Sequence, residues 1–176
     1  MTSIGAAIDY LVGIFTTGFV GKDIYGNPLT VPALSTINPL VEVADNIPQT
    51  DSGAWVVVGR SDPGTESQVS ATAQYQVLGR QRITESYQLP GMILVYGSGP
   101  DQKTTRDAAL ALFAGVNKLV WADPTLGGVL QDGRIGMVAG FTFSQPDDPT
   151  DSSTSSGGGV AASVAFDLQV ENSYIP

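Results

Sequence analysis

Apolar residues at Ile4, Ala7, Ile8, Leu11, Ile14 and Phe15 recur at the i, i+3, i+4, i+7 spacing of one helix face. Thr2 or Ser3 is placed to cap the start of that helix, and Gly18 or Gly21 to end it. The periodicity dissolves over residues 22–53, where Pro28, Pro32, Pro39 and Pro48 rule out regular helix and predict extended chain. So long a stretch without regular structure is unusual inside a compact domain. It reads either as a loop or as an arm lying on a neighbouring subunit. Val31, Leu34, Ile37, Leu40, Val41 and Val43 tilt the reading toward docking, because a solvated linker has no use for them. Val31, Leu34, Ile37 and Leu40 are the candidate interface positions within it.

Residues 55–58, Trp-Val-Val-Val between Gly53 and Gly59, form a β-branched run suited to a strand buried on both faces. A polar stretch over 61–70 reads as a loop. Two apolar-rich pieces follow at 75–78 and 87–96, and Pro90-Gly91 is expected to bulge or bend the second. A second helix is predicted over about 103–121. Thr104-Thr105-Arg106-Asp107 approximates a capping box, and Ala109, Leu112, Phe113, Val116, Leu119 and Val120 supply an apolar face. Asp123-Pro124 stops it, because proline disfavours the helical region for the residue before it.

The last third alternates with period two. Ile135, Met137, Ala139, Phe141 and Phe143 define one apolar face, and Val160, Ala162, Val164, Phe166, Leu168 and Val170 another. These predict a long two-stranded ribbon joined by residues 145–159, which are almost wholly Asp, Pro, Ser, Thr and Gly. A hairpin closes with about two to five loop residues, so this acidic, flexible connection is longer than closure needs. It is either a tolerated insertion or a loop that orders on a neighbouring ring or projects into a channel; Asp147, Asp148 and Asp151 are its candidate interface residues. The expected fold is a single α+β domain spanning 1–176, a mainly antiparallel sheet with a long C-terminal hairpin packed by two helices.

Composition narrows the chemistry. Of 176 residues, 42% are hydrophobic and 14% charged, which excludes disorder throughout. No apolar run reaches the length of a membrane span and the N-terminus lacks a basic signal region, so a soluble, unprocessed protein with no membrane association is expected. The absence of Cys and His removes thiol nucleophiles, disulfides, the usual zinc sites and the commonest general base. A net charge of −9 opposes affinity for phosphate backbones. After Arg134 there are acids and no bases, a distribution that serves solubility or repels DNA passing nearby.

Motifs for catalysis or cofactors are wanting. Asp147, Asp148 and Asp151 lack the order and terminal Glu of a calcium loop. Gly97-Ser98-Gly99 lacks nucleophile-elbow spacing and a histidine to activate Ser98. The glycines at 157–159 are not followed by the Lys-Ser/Thr of a phosphate loop. Trp55 and Trp121 read as core residues. No cofactor is expected and the chain does not read as an enzyme.

The run Val120-Trp121-Ala122-Asp123-Pro124-Thr125-Leu126-Gly127-Gly128-Val129, after an Ala/Leu-rich helix and before paired strands, resembles the helix-to-strand junction of tail terminator (tail-completion) proteins of long-tailed bacteriophages. The likeness is most specific over 108–138, and the basic-polar stretch at 79–87 is similar to the strand that precedes this helix in the family. The resemblance implies an α+β subunit forming a ring, usually a hexamer, on the head-proximal end of the tail tube in the virion, after assembly in the host cytoplasm. Its partners would be the tail tube protein and the head–tail connector or neck proteins, with DNA passing through the channel without specific binding. A tail tube protein or a head-closure protein is the alternative, and a small enzyme or ligand-binding domain with a pocket between sheet and helix the rival from another class.

Overall fold

The computed structural model describes residues 3–23, 25–45, 53–59, 69–76, 82–97, 102–131, 134–145 and 160–174. Helix α1 (Ile4–Thr17) leads into a hairpin of β1 (Phe19–Lys22) and β2 (Pro28–Val31). A single-turn helix α2 (Leu34–Ile37) then precedes β3 (Val41–Ala44), β4 (Gly53–Val58), β5 (Ser70–Gln76) and β6 (Arg82–Gly97). Helix α3 (Gln102–Ala122) and the long strands β7 (Arg134–Ser144) and β8 (Val160–Tyr174) complete the order. The fold is α+β, and its largest sheet has six strands in the order β3-β4-β6-β8-β7, with β5 also pairing β6. All of its pairings are antiparallel except β3 with β4. The ribbon β1–β2 stands apart as its own two-stranded sheet.

Strand register explains the core. Val56, Ile93 and Val164 lie abreast across β4, β6 and β8, as do Ala54, Val95 and Ala162. With Leu89, Leu168, Tyr87 and Val170 they form one buried face. That face meets Leu112, Val116 and Leu119 of α3, and the same cluster takes in Leu11, Ile14 and Phe15 of α1. The opposite face of β4 and β6 is also buried, through Val57 and its partner Met92, so the β-branched run sits in a two-sided strand.

Pro90 does not bulge β6, contrary to one of the two expected effects: the β6–β8 register runs unshifted through Pro90↔Asp167 and Gly91↔Phe166. The Gly59 N–H donates to the Pro90 carbonyl at 2.7 Å, so the backbone polar groups of Pro90 face the β4 side. A strand residue directs its N–H and C=O to the same side, and the N–H that proline lacks is therefore not one that β8 would use. Gly91 follows because the Phe166 ring occupies the space that a side chain there would need.

Other expectations change as well. Helix α3 begins at Gln102, so Thr104 lies within its first turn and the sequence 104–107 is no capping box. Asp107 instead accepts from Lys103 Nζ at 2.6 Å and from the Arg106 guanidinium at 3.2 Å. Ser3 is the N-cap residue of α1 by position, but it makes no side-chain cap and bonds to β6. Gly18 ends α1 at φ 80°, close under the Val31 carbonyl. The segment 22–53 is not free of regular structure, since it contains β2, α2 and β3. In β7 the strict alternation fails: two register shifts between Ile135 and Gly140 bring Val138 opposite Leu168. Residues 146–159, with Asp147, Asp148 and Asp151, lie outside the described residues.

Candidate functional site

Three carboxylates organise the polar interior and its margins. Asp123 follows the last residue of α3 and ties the junction to α1. Its Oδ1 accepts from the Thr125 N–H at 3.1 Å and the Thr125 hydroxyl at 2.7 Å, while Oδ2 accepts from the Gly127 N–H at 2.6 Å and the Tyr10 hydroxyl at 2.5 Å. Partial burial works against its charge, but these donors outweigh that cost and hold the carboxyl below its usual range. Burial, and then the bond to Asp123 and its charge, push the Tyr10 phenol above its ordinary value. The turn carries Leu126, a buried residue at φ 51°, and Gly127 at φ 65° beneath the Tyr10 ring. A β-carbon at position 127 would meet Tyr10, so both its backbone angle and its surroundings demand glycine.

Glu85, on β6, is almost fully buried. It accepts from the Ser3 hydroxyl at 3.0 Å, the Ser3 N–H at 3.3 Å and the Tyr174 hydroxyl at 3.0 Å. Tyr87 shares a 2.9 Å bond with the Ser3 hydroxyl, and burial pushes its phenol up. This network moors the start of α1 to β6 and β8. Every donor that Glu85 uses belongs to a side chain or backbone holding the fold together, a structural role for a buried charge.

Asp23 performs a smaller version of the Asp123 task in the turn 23–27. Its Oδ1 accepts from the Tyr25 and Asn27 N–H groups at 2.9 and 2.8 Å, and its Oδ2 from Asn27 Nδ2 at 3.0 Å. The Asn27 bonds, with help from Tyr25 and Gly26, hold this partly exposed carboxyl below its usual range. Among the described residues no group of acids has the arrangement of a metal site.

The surface is where the apolar residues are unusual. Val20 and Tyr25 on the β1–β2 hairpin are 83% and 82% exposed, Leu40 is 69% exposed, and Trp121 is 60% exposed. A groove of about 580 Å³ runs between β2 and the end of α3, lined by Leu29, Val31, Pro32, Lys118 and Trp121 among others. Alternation explains the hairpin: Phe19, Gly21, Leu29 and Val31 are half-buried, while Val20, Lys22, Pro28 and Thr30 are exposed. Trp121 follows the apolar stripe of α3 in sequence but falls off its buried face, which corrects the expectation of a core tryptophan.

The predicted interface positions do not form one patch. Val31 is half-buried and lines the groove. Leu34 is fully buried within its own chain, so it offers nothing to a neighbour. Its Cδ2 and the Ile37 Cδ1 would stand 2.7 and 2.6 Å from a β-carbon at Gly115 of α3, which shows how closely α2 seats on that helix. Ile37 is therefore only partly available, at 44% exposure, while Leu40 is open. Tyr25, Val20 and Trp121 escaped sequence reading. The one signal for the hairpin was Asp23 with Gly26 and Asn27, a turn-forming set inside the proline-rich segment. No protein-family model matches this sequence and no curated protein matches it either, leaving the geometry of these surfaces to carry the functional reading.

Proposed function

We propose that the protein is a structural subunit of a long-tailed phage virion, a tail terminator that assembles as a homo-oligomeric ring, a hexamer by the family resemblance, on the head-proximal end of the tail tube. The ring ends tube polymerisation and presents the joining surface for the connector or neck. Its mechanism is interface geometry: one face matches the last tube layer, and the other does not template a further one.

The observation that carries this reading is the exposure of Val20 and Tyr25 on the β1–β2 hairpin and of Trp121 at the adjoining end of α3, elements that lie outside the six-stranded sheet. Large apolar side chains left exposed are the raw material of association surfaces. The carboxylates of Asp123 and Glu85, by contrast, are occupied in holding the fold. A cyclic ring joins one flank of each subunit to a different flank of the next, and a projecting ribbon is suited to such a contact. The net charge of −9 suits a channel through which DNA slides without adhering.

Light scattering and negative-stain imaging of the purified protein test this reading. A closed ring, or a monomer that becomes a ring on tube ends, is the expected result. Spontaneous growth into long tubes would assign the chain to the tube wall instead, and a monomer indifferent to tubes would overturn the reading.

A further inference from the structure

We propose that the β1–β2 hairpin tip of one subunit docks into the groove between β2 and α3 of a second copy of this chain, with Tyr25 seated against Trp121 and Asp23 facing Lys118. The inference rests on the ring reading above and names the lateral contact such a ring would use.

The donor is prearranged. An isolated two-stranded ribbon is marginal in water, yet here Asp23 accepts three bonds from Tyr25 and Asn27 of its own turn. Tyr25 thus leaves solvent without first losing much backbone freedom, and a rigid aromatic anchor of this kind contributes strongly at interfaces. The acceptor is an apolar trough with a large exposed indole on its margin.

Charge selects the occupant. The chain has 17 acids and 8 bases, and Lys118 on the groove wall has no carboxylate partner among the described residues. Asp23 is the acid of the turn, and its bonds to Asn27 hold its carboxyl below the usual range. Lys22 at the base of the turn lies on the exposed face of the ribbon opposite Pro28, so the acid and the aromatic ring form the approach to the groove. Association places the carboxylate near the ammonium and the phenol near both the indole and Lys118, a cation–π geometry.

A chain cannot satisfy itself in this way. Tyr25 is not among the residues that line the groove, although Leu29, on the same ribbon, is. Each subunit therefore presents a knob and a socket built from different residues, as a heterologous contact requires.

Tyr25→Ala and Trp121→Ala alter exposed side chains, so both variants are expected to keep the wild-type melting temperature. Each is expected to weaken ring assembly, measured by sedimentation, on the order of tenfold or more. Lys118→Glu is expected to weaken it too. The chain has no cysteine, so Lys22→Cys protein mixed with Asn117→Cys protein provides a positional test with a short bismaleimide. The expected linked pairs contain one variant of each kind. Rings that form with undiminished affinity in both aromatic variants, without mixed links, would overturn this contact and leave the ring reading standing. Wild-type protein that forms no ring, alone or on tube ends, would overturn both.

Discussion

The turn after α3 and the turn of the β1–β2 hairpin use one device for opposite ends. In each, an aspartate accepts from the N–H two residues on and from the N–H four residues on: Thr125 and Gly127 for Asp123, Tyr25 and Asn27 for Asp23. The difference lies in what surrounds them. Tyr10 covers Asp123 and the turn buries Leu126, whereas Asp23 is open to water and its turn exposes Tyr25. A local side-chain-to-backbone pattern thus specifies a bend, and only the tertiary setting decides whether the bend closes the core or offers a surface.

The largest separation between the two turns is expected from their apolar residues. Leu126→Ala removes a fully buried side chain and should cost about 2–5 kcal/mol in denaturant unfolding. A loss of the size seen at a surface position would show that the junction is not part of the core. Asp123→Ala should come next, at about 1–3 kcal/mol, because it strands the Tyr10 hydroxyl and the Gly127 N–H. Asp23→Ala should cost visibly less, since water replaces the lost acceptor.

The pH dependence sharpens the contrast. Asp123 has a depressed folded-state pKa, so its contribution is present above the ordinary carboxylate value and is lost as pH falls through the lower folded value. Asp123→Asn should therefore flatten the acid limb of the stability curve below about pH 4. An unchanged limb would assign acid sensitivity elsewhere. Tyr10 runs the other way: its raised pKa gives stability present below the ordinary phenol value and lost at more alkaline pH. The smallest stability effect should be that of Tyr25→Ala, within about 0.5 kcal/mol of wild type, despite its predicted effect on assembly.

The parts legible in the sequence were those whose signal is local and repeated. Helix α3 extends one residue beyond each predicted end, 103 and 121, to Gln102 and Ala122, and the apolar stripe of β8 is buried from Ala162 to Val170. Helix α1 stops at Gly18, one of its two expected ends. What the chain hid was short or non-local. Strands of four residues among prolines carry too few alternations to register, which is why β2 and β3 read as extended arm. The parallel β3–β4 pairing is non-local, and no local pattern encodes it. Pro90 misled because its effect depends on which side of β6 its missing N–H would have faced. The site was the least legible: Leu34 carries the same apolar signal as Leu40, and only packing distinguishes the buried residue from the exposed one.

The most direct test of the central claim is the length distribution of growing tail tubes as this protein is added, read by electron microscopy. Elongation is expected to stop, with each arrested tube carrying one closed ring of the protein at a single end. Tubes that continue to lengthen at saturating protein, or that incorporate it along their walls, would contradict it.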